Sequence, residues 1–394
     1  MILNKVKNKI KAVLFPFLGY PNGWMRDVYV SRVGTQNPWA YVSYIADVFY
    51  ELDNDEYLAS HQNVREAVEI VRALNRQGMN VYVQTFHSAI SLPALKNVRL
   101  VFGVEPNYNR ACQLYKDAYM IYYATGAYAE HQNNQVIVST NAFNEKYGSN
   151  LPYRRLLSNP HSADGALVAY EYADKMLMIG SSFTLATFPV HLQKKISFIR
   201  QSTQELNVMH EVTDAPENEF LFIGSYGNVL KGIPLLVDFF STHRSMVIHI
   251  VGPLESDLME ALKNSLTPNI IFHGRLNLNS ANFKTLVSTC NFIVYPSGSE
   301  GSPGSVLCAM KFGMIPIVTP WAAFDEIKDY GYVMKDWSID ALADGILWAV
   351  SLKPDSRLKY KQRCAEYARN NYTIDLFRAQ INAYFEKILH SKGI

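Results

Sequence analysis

Short apolar segments rich in β-branched and aromatic residues alternate with helical segments along the first half of the chain. Residues 63–78 form one of the helical segments, with Val64, Val68 and Val71 on one face and Gly78 at the end. Because short apolar strands separated by helices suit a sheet covered on both faces, the pattern predicts an α/β fold with a parallel sheet. The strand candidates are 40–49, 80–86, 98–104, 118–126, 175–182 and 195–201.

A polar stretch at 201–219 interrupts this alternation and is typical of an interdomain linker. The alternation then restarts, with strand candidates at 220–225, 246–252, 269–274, 291–297 and 314–319 and helix candidates at 231–242, 255–265, 279–289 and 304–312. Two Rossmann-like domains that face each other across a cleft are therefore predicted, and 394 residues suit two domains. The expected boundaries are an N-terminal arm at 1–36, domains at 37–205 and 206–372, and a final helix at 373–394 that returns to the first domain.

Composition excludes several classes of protein. A formal net charge of +2 argues against a dedicated nucleic-acid binder. The four cysteines are scattered without metal-ligand spacing, and Asp53-Asn54-Asp55 lacks further ligands, so we expect reduced thiols and no metal site. The chain contains no run of about 18 apolar residues, so no transmembrane helix is expected.

The first residues of the chain leave two alternatives open. Lysines alternate with apolar residues, and Val6, Ile10, Val13 and Phe17 recur at helical spacing. A basic amphipathic helix of this kind would lie on an anionic membrane surface. The alternative is a simple N-terminal arm without that role. The segment lacks the cleavage site of a signal peptide.

The segment YPSGSEGSPGSVLCAM at 295–310 places a lone carboxylate, Glu300, in a loop of small residues between a strand and a helix. We expect Ser302 to cap that helix and Pro303 to lie in its first turn. Ligands of open α/β sheets bind beyond the carboxyl ends of the strands, so this loop should face the cleft. A carboxylate there would accept hydrogen bonds from the hydroxyls of a neutral polyol. The alternative is a surface loop with a solvated glutamate.

The start of the same helix is a candidate anion site. The free backbone N–H groups of Gly304, Ser305 and Val306, together with the helix dipole, would attract phosphate. Gly301 would allow the backbone to approach a ligand closely. Lys231, at the entrance of the helix after strand 220–225, could meet diphosphate oxygens or be a solvated lysine. A phosphate cradle beside a polyol-binding acid indicates a sugar nucleotide.

Residues 218–350 resemble the second domain of GT-B glycosyltransferases, in particular the retaining family 4. The resemblance rests on GSYGNVLKG (224–232), IVGP (250–253), IFHGRL (271–276), EGSPGSVLCAM (300–310) and GMIPIVT (313–319). It implies that Glu300 contacts the sugar hydroxyls of the donor and that Lys231 contacts its diphosphate. By position it also implies that Gly224, Ser225, Arg275 and Cys308 lie beside the donor.

Two positions depart from the family pattern. Ser225 stands where the family has an arginine that holds the diphosphate, and Cys308 stands where it has a second glutamate that holds the ribose. The departures imply a weaker diphosphate clamp and either an altered nucleotide preference or lost activity. The implied reaction is front-side displacement with no required metal.

The first domain resembles the family only in its general alternation of strands and helices. Four of its residues follow predicted strands or lie in loops at the cleft edge, and they are candidates for the acceptor side: His131, Glu105, Gly126 and His161. Gly126 would permit a tight approach there. Each of the four could equally be a loop or helix-cap residue, and His131 is the one we favour as catalytic.

The sequence thus predicts a cytoplasmic, retaining glycosyltransferase that uses a nucleotide-sugar donor, UDP- or GDP-linked, without a permanently bound cofactor. The expected acceptor is a glycan or lipid-linked glycan of bacterial surface-polysaccharide synthesis, reached at the inner face of the cell membrane if the basic arm binds lipid. The alternatives are a sugar-nucleotide epimerase or phosphorylase of the same fold, and a non-catalytic nucleotide-sugar-binding relic.

Overall fold

A computed structural model describes residues 26–206 and 211–394. The amphipathic pattern predicted at residues 6–17 lies outside the described residues. Within them the chain folds into two sheets, one of seven strands and one of six, and each belongs to its own domain.

The first sheet has the strand order β1-β3-β2-β4-β5-β6-β7. Its strands are β1 (Val28–Ser31), β2 (Trp39–Tyr44), β3 (Asn80–Thr85), β4 (Val98–Gly103), β5 (Tyr119–Ala124), β6 (Lys175–Ile179) and β7 (Ile196–Ile199). All neighbours pair in parallel except β1, which pairs antiparallel with β3. The sequence analysis placed residues 28–31 in an N-terminal arm; the structure makes them an edge strand of only four residues.

The second sheet is wholly parallel and has the order β10-β9-β8-β11-β12-β13. Its strands are β8 (Glu219–Ile223), β9 (Val247–Val251), β10 (Ile270–Gly274), β11 (Phe292–Tyr295), β12 (Ile315–Val318) and β13 (Tyr332–Val333). The chain order reverses between β8 and β11, so their carboxyl ends form the crevice where open α/β sheets bind ligands.

Helices cover both faces of each sheet. In the first domain they are α1 (Asp55–Ser60), α2 (Gln62–Arg76), α3 (Asn107–Leu114), α4 (Ala129–Tyr147), α5 (Ala166–Tyr172), α6 (Ser182–Leu185) and α7 (Val190–Gln193). In the remainder they are α8 (Ile233–Thr242), α9 (Ser256–Leu262), α10 (Ala281–Thr289), α11 (Gly304–Lys311), α12 (Ile339–Ser351), α13 (Pro354–Asn371) and α14 (Ile374–Lys392). Asn54, from the Asp-Asn-Asp motif, caps α1 by accepting a hydrogen bond from the backbone N–H of Tyr57. None of the helices in the described ranges is long and apolar enough to cross a bilayer.

Alternation along the central strands divides the first domain into two apolar layers. Ala40 and Val42 of β2 pack in the layer that contains α2, whereas Tyr41 packs in the opposite layer with Tyr108 of α3. Because neighbouring residues of a strand point to opposite faces, a near-continuous apolar run is what a doubly covered sheet requires.

The last helix returns to the first domain. Phe377, Ile381 and Phe385 of α14 are buried in the same apolar layer as α2. The guanidinium of Arg378 donates to the buried carboxylate of Glu69 on α2, with Nε 2.7 Å from Oε2. The chain therefore visits the first domain, then the second, and closes on the first.

The two domains contact each other directly near the cleft. The hydroxyl of Ser181 donates to the carbonyl of Ala323 at 2.8 Å, and that of Thr184 donates to the carbonyl of Gly301 at 3.0 Å. The carboxyl ends of both sheets thus meet around a common cleft.

Candidate active site

The cleft between the two sheets has a volume of about 620 Å³ and receives side chains from both domains. Eight of the predicted site residues line it: Glu105, Ser225, Lys231, Glu300, Gly301, Gly304, Ser305 and Cys308. They follow β4, β8 and β11 in the chain, so the parallel strands deliver them to one edge.

Glu300 is held firmly in the loop after β11. One carboxylate oxygen, Oε1, accepts hydrogen bonds from Lys231 Nζ at 2.8 Å, Tyr295 Oη at 2.9 Å and Ser297 Oγ at 3.0 Å. Burial alone would raise the pKa of this carboxyl, but the positive charges of Lys231 and Arg155 and these hydrogen bonds lower it to about 2. Glu300 is therefore ionised, and Oε2 is free of these three contacts.

Lys231 is the buried cation beside it. Its side chain is 6% exposed, and Nζ lies 2.5 Å from the hydroxyl of Tyr295. Burial lowers the pKa of this lysine, but the charge of Glu300, the hydroxyl of Tyr295 and the hydrogen bond to Glu300 together outweigh burial, and the pKa is raised overall. Gly232, with φ of +84°, makes the turn into α8 immediately after it.

Helix α11 begins at Gly304 beside the same cleft. Pro303 is its N-cap residue, and no side chain caps the helix. The prediction that Ser302 caps it was wrong, because the helix starts one residue later than a Ser302 cap requires. The first N–H groups of α11, from Gly304 onward, consequently lack a side-chain cap. Val306, the third predicted residue of this helix start, is fully buried and lies outside the cleft lining.

Gly301 sets the distance between the domains at this loop. A Cβ on it would lie 2.5 Å from the carbonyl oxygen of Thr125 and 2.8 Å from that of Ile179, both in the first domain. Only a residue without a side chain permits this approach. Gly224 is close-packed too, since a Cβ there would lie 2.5 Å from the ring of Phe222.

The two departures from the family pattern both face the cleft. Ser225 and Cys308 line it, as their positions implied. Burial raises the pKa of the Cys308 thiol to about 11, so the group is neutral. A neutral thiol is a weak hydrogen-bond acceptor and does not replace a carboxylate.

The acceptor-side candidates of the first domain separate into two groups. Glu105 lines the cleft and accepts a hydrogen bond from the hydroxyl of Tyr122 at 2.7 Å. His161 is 75% exposed and pairs with Glu130 at 3.4 Å, outside the cleft lining. No protein atom lies within 4 Å of a Cβ built on Gly126, so the expected tight approach does not occur between protein atoms.

His131 lies behind the Glu300 loop and outside the cleft lining. Its Nε2 is 3.3 Å from the carbonyl oxygen of Gly298, and its ring packs against Trp321 with centroids 5.6 Å apart. Burial lowers the pKa of this histidine. The contact supports the loop that carries Glu300. Arg275 is exposed and likewise outside the lining.

Among the cleft residues that the sequence analysis did not identify are an arginine and a glutamate. Arg155 belongs to an irregular segment between α4 and α5, and its Nη1 lies 3.9 Å from Glu300 Oε1. Glu66 lies on α2, and its Oε1 accepts a hydrogen bond from the backbone N–H of Ser202 at 2.5 Å. No local motif marks either residue. Glu66 was also overlooked because its helix, α2, was predicted from the apolar residues on one face alone.

No cluster of three or more His, Cys, Asp or Glu side chains with metal-binding geometry occurs in residues 26–206 and 211–394. The acidic and basic groups of the cleft include the carboxyl groups of Glu66, Glu105 and Glu300, the ammonium group of Lys231 and the guanidinium group of Arg155, beside the start of α11. This set can hold an anion next to a polyol.

Comparison with known proteins agrees with this geometry. Residues 217–351 match the family of glycosyl transferases group 1, which confirms the enzyme class predicted for the second domain. Sucrose-phosphate synthase from Thermosynechococcus elongatus has a similar structure, with a TM-score of 0.58 and 13% identity over 90% of this chain and 100% of that one. HepE of Anabaena, solved with UDP and glucose, gives a TM-score of 0.53 and 11% identity over 90% of this chain and 100% of that one.

WaaG, described as a glycosyltransferase involved in lipopolysaccharide biosynthesis, gives a TM-score of 0.51 and 13% identity over 87% of this chain and 98% of that one. Identities this low establish a shared fold, and that fold is GT-B, as predicted. A search of curated proteins by sequence gives no significant match.

Proposed function

We propose that this chain, whose second domain is a group 1 glycosyltransferase domain, transfers a sugar from a nucleotide-sugar donor with retention of anomeric configuration. One observation carries the proposal: Lys231, Glu300 and the start of α11 line a single interdomain cleft. A diphosphate needs cations and free N–H groups, and the attached sugar needs a hydroxyl acceptor. The cleft brings the cation, the free N–H groups and the acceptor carboxylate together in one volume.

The geometry suits a reaction that depends on positioning and charge. The acceptor hydroxyl attacks the anomeric carbon on the face from which the diphosphate departs. The bond from that carbon to the diphosphate oxygen breaks, and the departing oxygen takes the hydroxyl proton. Lys231 stabilises the negative charge that develops on the diphosphate, while Glu300 orients the sugar through its hydroxyls.

The donor is a UDP- or GDP-linked sugar, and HepE, solved with UDP and glucose, supports UDP. We assign the acceptor to the glycans or lipid-linked glycans of bacterial surface polysaccharides, a role for which WaaG offers a parallel. Glu105 faces the acceptor side of the cleft, with His131 positioning the Glu300 loop. The enzyme works in the cytoplasm, at the inner membrane face where its acceptor is anchored, and without a metal.

A screen of donors gives the first test. Binding to the folded state raises the melting temperature, so the preferred member of a set of UDP-, GDP-, dTDP-, ADP- and CMP-sugars should stand out. With that donor, EDTA should leave activity unchanged, and the product should keep the anomeric configuration by NMR. Absence of a shift with every donor would overturn the proposal. Appearance of an epimer in donor incubated without acceptor would favour the epimerase alternative.

Glu300→Gln is the residue-level prediction. The amide oxygen can still accept from Tyr295 and Ser297, so the fold should persist, while the turnover number should fall about 100-fold because the charged contact to the sugar is lost. Glu260→Gln is the matched control, since Glu260 is 71% exposed and pairs with Lys263 on α9 and its following turn. Equal activity of the two variants would contradict the assignment of Glu300.

A further inference from the structure

Arg155 reaches the donor side of the cleft from the first domain. It lines the cleft with Lys231 and Glu300, and its side chain is 30% exposed. Its guanidinium lies 3.9 Å from Glu300 Oε1, too far for a direct hydrogen bond but close enough to influence the carboxylate's charge. The group is therefore near the sugar-binding carboxylate and still open to a ligand.

The charge balance of the cleft requires a further cation for an anionic ligand, because Glu66 and Glu105 add two carboxyl groups to the lining besides Glu300. Lys231 is already paired with Glu300 at 2.8 Å, so together they contribute no net charge. The start of α11 adds only about half an elementary charge. Among the described residues that line the cleft, Lys231 and Arg155 are the only lysine or arginine. A nucleoside diphosphate, with at least two negative charges, needs the second of them.

Contacts with residues of both domains hold Arg155 in its position. Gly227, in the loop after β8, has φ of +90°, and a Cβ on it would lie 2.4 Å from Arg155 Cδ. The aliphatic stem of the arginine thus fills the space that a side chain at 227 would take. In the first domain, Gln132 Nε2 donates to the Arg155 carbonyl at 2.8 Å.

The backbone of Arg155 is in the left-handed region, with φ of 63°, which is uncommon for an arginine. A residue is held in that region only when its surroundings fix it. The adjacent Arg154 supplies part of that restraint, because its Nη2 pairs with Asp257 Oδ2 of the second domain at 2.7 Å. The segment is therefore anchored to the second domain next to the loop that contains Ser225.

We infer that Arg155 binds the β-phosphate of the donor across the cleft and supplies, from the first domain, the cation that Ser225 cannot. Resting on the proposed function, this inference names the residue that completes its diphosphate site. Donor binding and approach of the two domains are then coupled, since the diphosphate is gripped from both sides.

Isothermal titration of the full chain with inorganic pyrophosphate, UDP, GDP and UMP tests the inference independently of the acceptor. Arg155→Gln keeps most of the stem over Gly227 and removes the charge. Affinity for pyrophosphate and UDP should fall about tenfold or more, the usual effect of losing a charged hydrogen bond, while affinity for UMP changes less than about twofold. Arg244→Gln, an exposed arginine of the second domain, is the charge-matched control and should bind as the wild type does.

A second variant distinguishes loss of the binding group from misfolding of Arg155→Gln. Adding Ser225→Arg to Arg155→Gln should recover pyrophosphate and UDP affinity, because the new guanidinium enters the same cleft from the facing wall, in the second domain. Unchanged pyrophosphate and UDP affinity in Arg155→Gln would overturn the inference, as would an equal loss for UDP and UMP. A wild-type chain that binds neither pyrophosphate nor UDP nor GDP would instead overturn the proposed function.

Discussion

Glu66 and Glu300 line the same cleft, both are largely removed from water, and their pKa values move in opposite directions. Burial raises the pKa of Glu66 to about 7, only partly opposed by its hydrogen bonds from Ser202. Burial also acts on Glu300, but Lys231 and Arg155 outweigh it there. Neighbouring cations therefore decide which carboxylate is charged at neutral pH.

Glu66→Gln should make stability less dependent on pH. The pKa of Glu66 is raised in the folded state from 4.5 to about 7, so its favourable contribution is complete below pH 4.5 and is lost as pH rises through 7. Each pH unit between these values costs about 1.4 kcal/mol of unfolding free energy. The amide keeps the acceptor oxygen for Ser202, so the variant should gain stability over the wild type at pH 8 relative to pH 5. Urea unfolding at both pH values measures the difference; a gap between the two proteins that does not change with pH would contradict the assigned pKa.

Residues that follow a strand were predictable, and residues that reach in from elsewhere were not. Glu300 and Lys231 could be placed because each follows an apolar strand and a glycine-containing loop, which fixes the sheet edge. Arg155 comes from an irregular segment whose contact with Glu300 spans two domains. Such a contact depends on how the domains meet, and no local pattern in the sequence encodes that.

At the scale of elements, apolar periodicity located the long strands and helices to within a few residues. The predicted helix 63–78, for example, is α2 (Gln62–Arg76), and the predicted strand 314–319 is β12 (Ile315–Val318). The strand β1 was missed because it lies in the segment 1–36 that was assigned to an N-terminal arm, and β13 was missed because two residues show no periodicity. Helix α4, the support for His131, was also missed, since its apolar residues do not gather on one face.

The close approach of Gly301, in the loop between β11 and α11, to the first domain can be tested by substitution. Gly301→Ala would put a methyl group within 3 Å of two carbonyl oxygens of the first domain, so the loop must retreat from Thr125 and Ile179. Since a displacement of about 1 Å at a reacting centre can cost about 100-fold in rate, turnover should fall tenfold to 100-fold although the fold persists. Small-angle scattering should show a larger radius of gyration.

The matched control is Gly126→Ala, where a Cβ meets no protein atom within 4 Å, and it should keep the wild-type radius of gyration. Wild-type turnover and radius in Gly301→Ala would show that the loop does not set the domain spacing.

For the whole molecule, the two-domain plan followed from the restart of the strand-helix alternation after residue 219. The relative placement of the domains rests on contacts far apart in sequence, including Thr184 to Gly301 and Arg154 to Asp257. Helix α14 adds a third connection, because it leaves the second domain and buries its apolar face in the first. These contacts and α14 together fix how the two domains lie around the cleft.

Arg154 and Asp257 form an ion pair that joins the two domains beside the cleft, and exchanging their charges tests its contribution to donor binding. The side chains are 20% and 41% exposed, and solvent screens pairs of this kind to about 0.2–1 kcal/mol. Arg154→Asp or Asp257→Arg alone should therefore raise the KM for the donor by up to about fivefold at low ionic strength. Combining the two substitutions restores opposite charges, so the KM for the donor should return most of the way to the wild-type value. The differences in KM between the variants and the wild type should become smaller in 1 M NaCl. A combined variant worse than both single variants would mean that the two residues act separately, and the pair could not be the contact that holds the domains around the donor.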